Sequence, residues 1–209
     1  CEISTILPWL SLKGNLSVTL TTGVAPRSLI GKTVSTPWGD DLTGVFIASR
    51  LATKGAFIFC SYHAVDEIPS LMDMDRAALV TWHKRNSMPA MNNVPQFQTE
   101  FIWAFRREAG LDWKQLRTYY DVLGLQAGCM ATERICDDRV AAHPTQKPIV
   151  LIKALLKVGG QTVLDPYCGT GTTLLAAKEL GKQAIGIEIE EKYCAIAAER
   201  LRQGVFKFS

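Results

Sequence analysis

The feature that most constrains this chain is the stretch Val163-Leu164-Asp165-Pro166-Tyr167-Cys168-Gly169-Thr170-Gly171-Thr172-Thr173. Gln161 to Leu164 is a short apolar run rich in β-branched residues, bounded by Gly159-Gly160, and it predicts a buried strand. A glycine loop follows. Thr172 to Leu180 predicts a helix closed by Gly181, a residue that tolerates the left-handed conformation of a helix C-terminus. Gln183 to Ile189 predicts a second strand, with Ile185, Ile187 and Ile189 alternating. Glu191 to Arg202 predicts a last helix with Tyr193, Ile196, Ala197 and Leu201 on one face. Such a β-α-β-α unit implies two parallel strands joined by a right-handed crossover.

A glycine turn between a strand and a helix lets backbone N–H groups and the helix N-terminus approach a ligand closely. Asp165 at the strand end is placed to accept hydrogen bonds, and Glu188 on the next strand has the spacing of an acidic residue that grips a ribose diol. A turn whose glycines merely satisfy backbone geometry would not need strand, loop, helix and acidic residue in register, so the pattern points to a nucleoside cofactor. The dinucleotide fingerprint Gly-x-Gly-x-x-Gly is not met, because Leu174 stands at its third glycine and Asp165-Pro166 is foreign to it. A nicotinamide-dependent oxidoreductase is the weaker reading on those grounds. A dinucleotide domain also begins with this unit, whereas here the unit comes last. The other strands must therefore come from upstream, which is a circular permutation.

Upstream, Ile149 to Leu156 reads as a helix entered through His143-Pro144-Thr145-Gln146-Lys147-Pro148. Ala56 to Cys60, Ala78 to Trp82 and Glu100 to Phe105 are strand-like, Asp41 to Leu51 is helix-like, and Leu16 to Leu20 alternates apolar and polar residues. Gly110 to Ala142 is mixed in character and reads as a surface insertion outside the core. The whole is α/β, with helices and strands alternating around one sheet. At 209 residues, 47% hydrophobic and 21% charged, the chain fits one soluble globular domain, and no apolar run approaches the roughly 20 residues of a membrane helix. The net charge of +3 permits a nucleic-acid partner without demanding one. The six cysteines are scattered, with no Cys-x-x-Cys pair for zinc, and read as reduced thiols of a cytoplasmic protein. The chain opens on Cys1, which suggests processing or a fragment.

Asp-Pro-Tyr-Cys-Gly-Thr-Gly-Thr-Thr resembles the cofactor loop of the amino-group DNA methyltransferases. The order of motifs, with His-Pro-Thr-Gln-Lys-Pro ahead of the loop, resembles their β class. Gly186-Ile187-Glu188-Ile189-Glu190 is similar to the family's second cofactor motif. Trp82-His83-Lys84 and Glu100-Phe101-Ile102 sit where the family has a Trp-x-Lys segment and a later core strand. The resemblance implies a Rossmann-like fold with a mixed, mostly parallel sheet, and S-adenosylmethionine as cofactor. It places the cofactor on Asp165, Pro166, Tyr167, Gly169, Gly171 and Thr172, with Glu188 on the ribose and Thr145 and Lys147 at the methionine carboxylate. It divides one domain, 1–209, into a catalytic half (1–110), a short target-recognition insertion (111–142) and a cofactor half (143–209). The implied partner is double-stranded DNA, methylated at N6 of adenine or N4 of cytosine, by a monomer or homodimer in the manner of a restriction-modification enzyme. Between Leu111 and Ala142 lie Lys114, Arg117, Arg134 and Arg139 beside five acidic residues.

Taken singly, these residues have blander readings. His143 alone would be a loop histidine and Lys147 a solvated charge. Trp82 and Trp103 would be core aromatics of strands, His63 and His83 structural, and Cys168 a packing residue.

Attack by an exocyclic amine on a sulfonium methyl needs acceptors for the amino hydrogens, and the base must leave the duplex and stack on an aromatic ring. In the family these roles belong to Asp/Asn/Ser-Pro-Pro-Tyr/Phe/Trp, after the strand that neighbours the cofactor strand. No such tetrad is present. Ser35-Thr36-Pro37-Trp38 keeps three of its residue types, which makes Ser35, Pro37 and Trp38 the candidate catalytic residues; Ser35, if it heads the tetrad, leans toward cytosine. Leu16 to Leu20 ends instead in Thr21-Thr22-Gly23, with no acid, proline or aromatic. The expectations are thus a methyltransferase with a degenerate motif or a non-catalytic cofactor- or DNA-binding relic of one.

Overall fold

The computed structural model describes residues 16–20, 50–60, 65–66, 68–84, 98–107, 113–121 and 146–202. Within them lies a seven-stranded sheet built from β1 (Leu16–Leu20), β2 (Gly55–Cys60), β3 (Asp75–His83), β4 (Thr99–Arg106), β5 (Tyr119–Asp121), β6 (Thr162–Asp165) and β7 (Gln183–Gly186). Its helices are α1 (Ile68–Leu71), α2 (Ile149–Val158), α3 (Thr172–Glu179) and α4 (Glu191–Arg202). The strand order is β5-β3-β4-β2-β1-β6-β7. Only β4 runs against its neighbours, and the remaining pairings are parallel. The expected mixed, mostly parallel sheet is therefore present.

Alternation along the strands divides the core in two. Phe57 and Phe59 of β2, Val80 and Trp82 of β3, Ile102 and Ala104 of β4 and Val163 of β6 meet Leu151, Ile152, Leu155 and Leu156 of α2 and Ala176 and Ala177 of α3. The opposite face carries Ala56, Ile58, Phe105 and Leu164, packed on Ile68 of α1 and on Met72. β2 is buried along its whole length, the pattern of a strand covered on both faces. Each fully buried Leu or Ile of α2 stabilises this packing by about 1.5–3 kcal/mol. No helix among the described residues is long and apolar enough to cross a membrane.

Two sequence expectations change. β7 ends at Gly186 instead of continuing to Ile189, because its partner β6 has run out: Asp165 pairs with Gly186 in the last rung. Ile187 and Ile189 are exposed in consequence, and only Ile185 packs on the core. Residues 110–142 were expected to lie off the core, yet β5 joins the sheet beside β3, and Leu116 and Tyr120 pack on the α2-side cluster. The helix expected over 41–51 lies almost entirely outside the described residues.

Candidate cofactor site

From β6 the chain winds through α3 to β7 on one side, while β1 is followed on the other side by β2. The carboxyl ends of β6 and β1 thus flank the point where the winding reverses, which is where open α/β sheets hold ligands. The glycine loop leaves the sheet there. Asp165 is 1% exposed, and its Oδ1 accepts the Tyr167 N–H at 3.1 Å, folding the loop back at once. Pro166 is buried, and half-buried Tyr167 packs on the α1-side core. The loop is tied to the strand after it: the Cys168 N–H donates to the Ile187 carbonyl (3.0 Å) and the Ile187 N–H to the Asp165 carbonyl (2.9 Å).

Gly171 makes the turn into α3 at φ +81°, and a Cβ there would stand 2.8 Å from the Ala197 Cβ. This glycine serves both the left-handed backbone and the close approach of α4.

Glu188 clamps the loop. Its Oε2 accepts the Gly169 N–H at 2.8 Å and its Oε1 accepts the Glu190 N–H at 2.9 Å. A carboxylate offers about four acceptor positions, so each oxygen keeps capacity for a ligand hydroxyl. The Cys194 thiol donates to the Glu188 carbonyl at 3.5 Å.

The His143–Pro148 segment meets the loop through Gln146, whose Oε1 accepts the Thr170 hydroxyl at 3.1 Å. Both side chains are buried. Lys147 is 7% exposed and so is not the solvated charge its sequence context suggested; its Nζ donates to Glu100 Oε2 at 2.8 Å. Lys84 pairs with the other oxygen of Glu100. Burial alone would raise the Glu100 carboxyl, but the ammonium groups of Lys147 and Lys84 outweigh it and hold it below the usual carboxylate range. Cys168 is buried with its thiol pushed up to about 12, by burial and then by the charges of Asp165 and Glu188, which fits packing and not nucleophilic use. Trp82 is 2% exposed, and Trp103 Nε1 donates to the Val65 carbonyl at 2.7 Å, so both are core aromatics.

The structure thus gathers Asp165, Pro166, Tyr167, Gly169, Gly171, Thr172, Glu188 and Lys147 at the end of the sheet where the carboxyl ends of β6 and β1 lie. Thr145, Ser35, Pro37 and Trp38 lie outside the described residues, as does His143. β6 lies between β7 and β1, and the residues that follow β1 in sequence are Thr21-Thr22-Gly23. Sequence reading missed Arg200. This buried cation on α4 donates from Nη1 to the Thr170 carbonyl (2.6 Å) and to the hydroxyls of Thr170 (3.2 Å) and Thr172 (3.3 Å), holding the loop from beneath. The available signal was its place three residues after Ala197, on the same helix face. A cavity of about 310 Å³ lined by Arg76, Arg106, Leu116 and Thr118 lies where β3 begins and β4 ends, at the opposite end of the strands from this chemistry.

A glycine cradle at the switch point of an open α/β sheet, clamped by an acidic residue just beyond the end of the next strand, defines a nucleoside-cofactor-binding domain. The DNA methylase family profile matches residues 47–199, more than half of the chain, and the chain belongs to that family. It is 48% identical over 79 residues to the type II methyltransferase M.HinfI of Haemophilus influenzae, covering 36% of this chain and 22% of that protein. It is 34% identical over 137 residues to the type II methyltransferase M2.DpnII of Streptococcus pneumoniae, covering 58% of this chain and 49% of that one. The chain thus spans about half the length, or less, of these curated relatives. Among solved structures, the M1.HpyAVI–SAM complex superposes with a TM-score of 0.65 at 26% identity, over 94% of this chain and 92% of that one. The cytosine-N4-specific PvuII DNA methyltransferase superposes with a TM-score of 0.61 at 13% identity, over 92% and 81%, a likeness of fold alone. The architecture is the Rossmann-like fold of S-adenosylmethionine-dependent methyltransferases.

Proposed function

We propose that this chain binds S-adenosylmethionine on the Asp165 loop and transfers its methyl group to the exocyclic amine of adenine or cytosine in double-stranded DNA. The observation that carries this reading is the junction of the two motifs: Gln146 holds Thr170 on one side of the loop while Glu188 holds Gly169 on the other. The residues suit the cofactor, since Glu188 keeps acceptor capacity for two ribose hydroxyls and buried Lys147 supplies a cation for the methionine end. Bound there, the cofactor supplies an electrophilic methyl on a sulfonium. Asp165, Gly169, Gly171 and Thr172 form its cradle, with Pro166 and Tyr167 fixing the turn and Thr145 completing the carboxylate end. Ser35, Pro37 and Trp38 remain the candidates for holding and stacking the target base. Residues 111–142 are proposed to contribute DNA recognition.

The test is incorporation of labelled methyl from the cofactor into duplex DNA, followed by digestion to identify N6-methyladenine or N4-methylcytosine. Demonstrated cofactor binding with no incorporation into any DNA sinks the catalytic part.

One observation favours a second reading, a cofactor-binding relic. The strand beside the cofactor strand runs directly into Thr21-Thr22-Gly23, which offer hydroxyls but no acid, proline or aromatic ring. Placing Asp-Pro-Pro-Tyr at 21–24 or at 35–38 separates the two: activity that appears only after repair supports the relic.

A further inference from the structure

Strands β3 and β4 carry charges onto the buried face that α2 covers. Their register sets Trp82 opposite Glu100, and alternate residues of a strand share a face, so Lys84 follows Trp82 and Glu100 precedes Ile102 and Ala104. Lys147, on the segment entering α2, comes down on this face. Its Nζ lies 2.8 Å from Glu100 Oε2, 5.2 Å from the Phe59 ring centre and 5.7 Å from that of Trp82. Lys84 closes the other side, paired with Glu100 Oε1 and 4.8 Å above the Trp82 ring. The three charged side chains are only 7%, 16% and 23% exposed for Lys147, Lys84 and Glu100, so water screens them poorly.

Charge accounting gives the cluster a purpose. Lys147 and Glu100 alone would make a neutral pair, with the ammonium charge spent inside it. Lys84 cancels Glu100, so the group of three carries a formal +1. An ammonium has three N–H donors, and Glu100 takes one from Lys147. The ring faces of Phe59 and Trp82 hold the cation in place.

We propose that Lys84 is a positioning residue of the cofactor site: by neutralising Glu100 it keeps the charge of Lys147 available to the methionine-end carboxylate of S-adenosylmethionine. This rests on the cofactor reading above and adds to it a residue that does not itself touch the cofactor.

The experiment is calorimetric titration of the full chain with S-adenosylmethionine and with its decarboxylated analogue, which keeps sulfonium, amine and nucleoside and lacks only the carboxylate. Wild type prefers the intact cofactor. Lys84→Met leaves a neutral pair and cuts that preference about tenfold, while affinity for the analogue moves less than about twofold. Lys84→Met combined with Glu100→Gln leaves Lys147 alone with its +1 and recovers most of the preference. Lys84→Gln, which keeps a polar tip, is measured beside Lys84→Met so that a folding defect in one variant does not decide the outcome. A merely structural Lys84 weakens both ligands together and makes the double variant worse than either single; either result overturns the proposal. Equal binding of both ligands by wild type overturns it while leaving the cofactor reading in place. Binding of neither ligand overturns the cofactor reading and the proposal with it.

Discussion

Replacing Gly171 by alanine sets two separable costs against each other. The first is conformational: at φ +81° an L side chain crowds its own carbonyl, which costs about 1–2 kcal/mol. The second is steric. The new Cβ would lie 2.8 Å from the Ala197 Cβ and 3.3 Å from the Ala197 Cα, so α4 must move, and overpacking of this kind costs about 1–3 kcal/mol. The sum, about 2–5 kcal/mol, is a large share of the roughly 5–15 kcal/mol that stabilises a domain. For a chain of this size it corresponds to a fall in melting temperature of about 4–20 °C, read by thermal unfolding under circular dichroism. Gly181→Ala is the control, since it shares a positive φ (+69°) but has no atom within 4 Å of the added Cβ. It bears only the first cost, about 1–2 kcal/mol. Gly171→Ala with Ala197→Gly removes the Cβ–Cβ collision, recovering part of the steric loss at about 1 kcal/mol for glycine in a helix. Equal melting temperatures for Gly171→Ala and Gly181→Ala would refute the close-approach argument, whatever happens to activity.

Glu188→Ala leaves the Gly169 and Glu190 N–H groups without their acceptor and removes the proposed ribose contact; cofactor affinity falls about 10–100-fold by calorimetry, while Glu188→Gln loses less. Cys60 and Cys168, both raised to about 12, stay protonated and resist a disulfide-exchange reagent at pH 8 until the protein unfolds, as mass spectrometry of the labelled chain will show. The same two thiols make stability fall between about pH 9 and pH 12, because the unfolded chain loses these protons first. Glu100 acts at the other end of the scale: its folded pKa lies below 4.5, so its contribution is present above that value and is lost as pH falls through the folded pKa. Acid unfolding of Glu100→Gln followed by fluorescence will have a shallower slope in that range than wild type.

Local signals made much of the site legible. The loop reads from its glycines and Asp165-Pro166, and α2, α3 and α4 read from apolar spacing and flanking glycines. What failed depends on partners far along the chain. The isoleucine alternation continues to Ile189, but a strand extends only as far as its neighbour, and β6 stops at Asp165. Lys147 carries no local mark of burial, since its partner Glu100 is 47 residues away. β5 is three residues long, too short for any periodicity, and exists because β3 offers it an edge. The candidate base-binding residues Ser35, Pro37 and Trp38 lie outside the described residues.

The position of β1 has a consequence for synthesis. It lies between β2 and β6, with Ser17 hydrogen-bond neighbour to both Gly55 and Val163. A chain made from its N-terminus completes one side of β1 early and leaves the other open until residues 162–165 have emerged. The β1–β6 junction therefore forms late, through contacts of very long sequence separation, which fold slowly, and β7 can add only after it. A nascent or truncated chain ending before Thr162 presents an unpaired central strand as an edge, and such edges recruit other chains. The glycine loop follows β6 directly, so a chain that stops before β6 lacks the loop and keeps that edge of β1 open.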